Sequence, residues 1–255
     1  MKPLARLTWL KVLQGFREKL FWSAGLFFLA LLGLSWFLSA LSVGERERVL
    51  RGAGLVAMEW SGLSLVLLSG AFGFYRDRAS RMIEVFLVHV SRPVYTASHL
   101  GAALVLAFVY LVLAGLCWSA VLTLHHAFVW PLWIGLGGVF LKLALAISLN
   151  LLFCCLLSSP TLAVVSTLFM YVAGALAPAA FDALALQIHS PFLLGVFKGF
   201  CALLPNLRML DLTTSLLAGQ PSVPLSLALV SGYAALYCLL LWSASTWVFL
   251  KQDGT

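Results

Sequence analysis

Six apolar stretches, at residues 20–41, 52–75, 99–124, 130–157, 161–181 and 225–250, are each long enough to cross about 30 Å of hydrocarbon at roughly 1.5 Å per helical residue. In lipid no water is available to the backbone N–H and C=O groups, and a continuous apolar stretch of this length satisfies them as a helix. Apolar residues make up 62% of the 255-residue chain and charged residues 10%, against roughly 25% charged in a soluble domain. That leaves too little polar surface for a water-facing globule. The expectation is an all-α polytopic membrane protein, a single transmembrane domain over residues 1–255 with six transmembrane helices.

For such a chain the placement of cations matters more than the net charge of +7. Six crossings return the chain to the side from which it sets out. Lys2, Arg6, Lys11, Arg17, Lys19, Arg76, Arg78, Arg81, Arg92 and Lys251 fall on that side, and Arg46, Arg48, Arg51, Lys198 and Arg208 on the other. The positive-inside bias then predicts both termini in the cytoplasm, in a membrane read as the bacterial cytoplasmic (inner) membrane. Residues 2–19 are basic and half apolar, with no short apolar run ending in a small-residue cleavage site, so the first span is expected to stay in the mature protein. Within residues 1–19, Leu7, Trp9, Leu10, Val12, Leu13 and Phe16 alternate with Arg6, Lys11 and Gln14 at loosely helical spacing. The pattern predicts an interfacial helix with its cations near anionic head groups; a plain basic leader before the first span is the alternative. Membrane lipids are an expected partner and nucleic acid is not.

Two connections are long enough to have structure of their own: 76–98 on the expected cytoplasmic side and 182–224 on the outer side. In 76–88 the charges share one helical side while Met82, Val85 and Phe86 lie together on another. Pro93 biases Arg92 away from the helical region and ends that short amphipathic element. Its apolar stripe must be covered by lipid, by its own bundle or by a partner. The outer connection is apolar in pieces too short to span, broken by Pro191, Pro205, Gly219 and Pro221. Re-entrant or interfacial half-helices satisfy it, and a loop resting on the head groups is the alternative.

The run Glu84-Val85-Phe86-Leu87-Val88-His89-Val90-Ser91-Arg92-Pro93-Val94-Tyr95, with Gly101 following at the start of a span, resembles the type-2 ABC transporter permeases, the transmembrane subunits of that family. It departs from the family's pattern at residues 80–82, at Thr96 and at Ala102. A second stretch, Leu204-Pro205-Asn206-Leu207 with Asp211 and Gly219 before a last span ending Phe249-Leu250-Lys251, resembles the closing pattern of the same permeases. The resemblance implies a cytoplasmic coupling helix in which Arg81, Met82, Glu84, Val85, Phe86, Arg92 and Pro93 dock a separate ABC ATPase subunit in two copies. It also implies a second permease copy, most simply a homodimer, and outward transport. Outer half-helices would then cap the translocation path, making Pro205, Asn206 and Asp211 a candidate outer gate.

Hydrolysis of ATP by a P-loop needs GxxxxGK[ST], and none of the six lysines follows a glycine. The chain is therefore not expected to be an enzyme or to hold a cofactor; ATP and Mg would belong to the ATPase partner. No HExxH, GxSxG or paired carboxylates at metal-ligand spacing occur. The adjacent His125 and His126 point about 100° apart on a helix and make a poor chelate for one metal. The five cysteines show no CxxC spacing and read as small hydrophobes. Charge inside a span is costly, at least about 2.5–3.5 kcal/mol near the centre, so Glu59 and Lys142 need a reason. Counting along their spans puts Glu59 about 10 Å deep and Lys142 about 18 Å deep, within reach of each other if the helices are neighbours. They form a buried ion pair or, with Asn150, line a translocation path; Asn150 alone reads more simply as a helix–helix hydrogen bond. Two other functional readings stay open: a non-transporting membrane anchor or assembly subunit, and a haem-handling membrane protein using His89, His99, His125 or His126.

Overall fold

A computed structural model describes residues 2–41, 46–80, 90–126, 128–130, 132–185, 199, 204–211 and 224–251. Seven α-helices occur among them, with no strand: α1 (Lys2–Arg17), α2 (Lys19–Leu41), α3 (Arg46–Ala79), α4 (Arg92–Leu124), α5 (Leu132–Leu156), α6 (Pro160–Ala185) and α7 (Pro224–Lys251). A single 3-10 turn, Leu207–Leu210, lies between α6 and α7. All helices except α1 are long and apolar enough to cross a membrane, and the protein is an all-α integral membrane protein. The side of the bundle that carries α1 is called the near side below, and the opposite one the far side.

Two helices run past the apolar stretches that announce them. The 34 residues of α3 and the 33 of α4 are each about 50 Å long, more than the hydrocarbon needs, so their near-side ends stand in or beyond the head-group layer. Arg76 and Arg78 lie in the last turn of α3, not in a separate helix. Pro93 opens α4 rather than ending the element before it. It sits in the first turn, where its missing N–H costs nothing, and Ser91 just before is extended at φ −66°, ψ 149°. The connection expected at 76–98 thus narrows to about 80–91. Arg81, Met82, Glu84, Val85 and Phe86 of the expected coupling helix lie outside the described residues, as does most of the outer stretch 186–223.

At the centre of the bundle stands α5, packed against α3, α4, α6 and α7. Some 72% of its span is buried, against 22% for α2, α6 and α7, which turn broad apolar faces outward. Lipid tails are as apolar as leucine, so close packing and hydrogen bonds, more than hydrophobic transfer, hold such helices together. On α3 the glycines at 54, 62 and 70 recur every eight residues, so each is turned about 80° around the helix from the one before. A Cβ at Gly54 would run into the Trp118 indole of α4, one at Gly62 would stand 2.8 Å from Leu143 of α5, and one at Gly70 would stand 2.7 Å from the Asn150 amide. Together they leave room for α4 and α5 to approach the α3 backbone from different sides.

Candidate functional site

Glu59 on α3 and Lys142 on α5 each lie ten residues into their spans, which start at Val49 and Leu132 on the far side; that is about 15 Å along each helix. With α3 and α5 in contact, the two side chains meet: Lys142 Nζ donates to Glu59 Oε2 at 2.9 Å. The second Glu59 oxygen accepts a short hydrogen bond from the Tyr171 hydroxyl of α6. Lys142 also faces Asp211 Oδ1 at 3.9 Å. One cation thus stands between two carboxylates, and side-chain exposure rises from 9% at Lys142 through 19% at Glu59 to 33% at Asp211. The group opens toward the far side.

Asp211 arrives there because the segment 204–211 is seated in the far end of the bundle. Leu207 and Leu210 are 2% and 0% exposed and belong to the main apolar core. Pro205 lies on α6 at Gly174, where a Cβ would collide with the Pro205 carbonyl oxygen. The Asn206 backbone N–H donates to the Tyr233 hydroxyl of α7 at 2.9 Å, and the Asn206 side chain caps the 3-10 turn by accepting from the Met209 N–H. Arg208 pairs with Asp182 at the end of α6 at 3.1 Å. This part of the outer connection packs into the end of the bundle, and most of the rest of it lies outside the described residues. The structure therefore joins two sets of residues singled out separately, Glu59 with Lys142 and Pro205, Asn206 with Asp211. Sequence reasoning missed Tyr171, one tyrosine among six in an apolar chain.

Asn150 stays apart from this group. Two turns further along α5, it is 2% exposed and donates to the Val66 and Leu67 carbonyls of α3 at 3.5 and 3.2 Å, while Thr167 of α6 donates to its side-chain oxygen at 3.4 Å. It ties three helices together. On the near side, Arg92 donates to the Phe249 and Leu250 carbonyls at 3.4 and 3.2 Å, a cation on the carbonyls of the last turn of α7.

A second polar cluster, invisible in the sequence, lies on the near side. Lys11 of α1 is 9% exposed; its ammonium donates to Asp77 Oδ2 at 3.1 Å and to His99 Nδ1 at 3.2 Å, and stands 4.0 Å from the Tyr95 ring centroid. The Tyr95 hydroxyl donates to the same Asp77 oxygen at 3.1 Å. His99 Nε2 meets the Gly70 carbonyl at 3.2 Å. A carbonyl can only accept and an ammonium only donate, so the network assigns the proton to Nε2 and a neutral imidazole. With both ring nitrogens engaged, His99 presents no lone pair to haem or metal. Burial pulls the Lys11 ammonium below its usual range; Asp77 opposes that shift and Arg76 adds to it. Glu18 and Arg76 pair beside it at 2.7 Å, so two ion pairs fasten α1 and the start of α2 to the end of α3. Among the described residues no group of three or more His, Cys, Asp or Glu could hold a metal.

No protein-family model matches the chain, and no curated protein matches it significantly.

Proposed function

We propose that this chain is the membrane subunit of an ATP-binding-cassette exporter, lining the translocation path and working with a separate ATPase that binds the ATP and Mg. The observation that supports this best is the far-side group. A charge group within a membrane span is expensive and commonly marks a transport path, and here it joins three spans to the inserted segment 204–211. Opening the far side requires Asp211 and the 204–211 segment to leave Lys142, which keeps Glu59 as its partner; the bundle can thus change state without stranding a cation in lipid.

The connection 80–91 fits the drive. It joins α3, which carries Glu59, to α4, whose first turn holds the end of α7 through Arg92. Two ATPases closing on this connection would displace both helices as rigid bodies, a shear-type change. The likeness of 84–95 to the coupling segment of type-2 ABC permeases, with Arg81, Met82, Glu84, Val85 and Phe86 as docking residues, supplies the partner in this reading. Two copies of this chain, cytoplasmic termini and a bacterial inner membrane complete it.

The test is purification of the tagged chain in mild detergent, with assay for a co-purifying ATPase. The reading expects an ATPase that is lost when Met82 and Phe86 are both changed to Asp, and retained with uncoupled turnover when Glu59 is changed to Gln. A chain that purifies alone, or with a partner lacking ATPase activity, would establish an anchor or assembly subunit instead.

A further inference from the structure

A groove of about 530 Å³ runs between α1 and the near-side end of α3. One wall is apolar, built by Leu7, Leu10 and Leu13; the other carries Arg17, Glu18 and Arg76. Lys11 and Asp77 at its floor neutralise each other, and so do Glu18 and Arg76. Arg17 is exposed and has no ion partner among the described residues, which leaves the groove with one surplus positive charge. Its level is set by its neighbours: the α2 span begins at Lys19 and the α3 span ends at Ala79, so Arg17 and Arg76 stand where hydrocarbon gives way to head groups. Leu10 and Leu13 are 55% and 47% exposed, because the opposite face of α1, with Val12 and Gly15, is spent on the bundle.

We propose that this groove binds one anionic phospholipid, Arg17 holding the head-group phosphate, the outer edge of Arg76 assisting, and Leu7, Leu10 and Leu13 lying along an acyl chain. Charge and shape both select this occupant. A zwitterionic lipid leaves the surplus cation half-matched, a free phosphate leaves the leucine wall uncovered, and basic grooves beside membrane helices are suited to acidic head groups. The site is independent of the transport reading, since it uses neither the far-side group nor the 80–91 connection.

The test uses the full chain in detergent micelles doped with phosphatidylglycerol or phosphatidylcholine, counting lipids retained by native mass spectrometry and following thermal unfolding by tryptophan fluorescence. One phosphatidylglycerol should be retained in preference to phosphatidylcholine and should raise the unfolding temperature. Arg17→Glu should weaken retention at least fivefold, the size expected for a single cation near acidic head groups. Arg17→Lys should keep most of it, and Arg208→Glu on the far side should change nothing. Equal retention of the two lipids, or undiminished phosphatidylglycerol binding in Arg17→Glu, would overturn the proposal. Displacement of the lipid by inorganic phosphate alone would also overturn it, revealing a phosphate site.

Discussion

Lys142 is held between Glu59 and Asp211, and the two contacts differ in kind. The Glu59 contact is a 2.9 Å hydrogen bond with both partners largely buried; the Asp211 contact, at 3.9 Å, ends on a carboxylate one third exposed. Removing one partner of a buried pair leaves the other charge uncompensated, which costs about 3–5 kcal/mol. Lys142→Met should therefore lower stability by about that amount in thermal unfolding of the purified protein. Adding Glu59→Gln to the same chain should restore most of the loss, since the more deeply buried of the two carboxylate charges is then gone. Asp211→Asn, at a longer and wetter contact, should cost less than about 1 kcal/mol. Equal losses from Lys142→Met and Asp211→Asn would mean that the segment 204–211 contributes as much as the interior pair. The Glu59–Lys142 contact was legible in part: the cost of charge in a span demanded partners, and their depths allowed this one. Nothing in the letters around Tyr171 or Asp211 pointed to them as the other members, because each joins through a helix or segment whose lateral position no local pattern encodes.

Among the elements, α1 departs furthest from its sequence pattern. The helix was legible, and its exposed Trp9, Leu10 and Leu13 suit an interfacial position. Its cation Lys11 reads as one more head-group contact, yet it turns inward onto Asp77, His99 and Tyr95. Helical spacing places Thr8, Lys11, Val12 and Gly15 on one side, and that side packs on α4; a Cβ at Gly15 would collide with Leu106. Lys11→Met should leave Asp77 buried with only the Tyr95 hydroxyl and loosen α1 selectively. The measurement is hydrogen exchange: amides of residues 2–17 should exchange faster while those of α5 stay protected. Glu18→Gln should do less, because its partner Arg76 has a side chain 47% exposed. Uniform loss of protection across the bundle would show that Lys11 supports the whole core and not the docking of α1. The start of α4 has a plainer lesson. Proline can stop a helix or begin one, and Arg92 on the α7 carbonyls favours the second by anchoring the first turn of α4.

For the whole molecule, six crossings put residues 17 and 251 on one side and residue 208 on the other. In a cysteine-free background, Arg17→Cys and Lys251→Cys should react with a membrane-impermeant maleimide from the same face of sealed vesicles, and Arg208→Cys only from the opposite face. Reaction of all three from one face would mean a missed or extra crossing. Hydropathy alone determines the number and rough extent of the spans, because lipid leaves so long an apolar stretch one cheap backbone conformation. The same energetics identify Glu59 and Lys142 as residues that must be paired. Which helix stands beside which, and so whether Asp211 reaches Lys142 or Lys11 turns into the bundle, is decided by packing: the glycines of α3, the central place of α5 and the seating of Leu207 and Leu210. A buried charge declares that it needs a partner, and only the neighbours that side-chain shape admits determine which partner it finds.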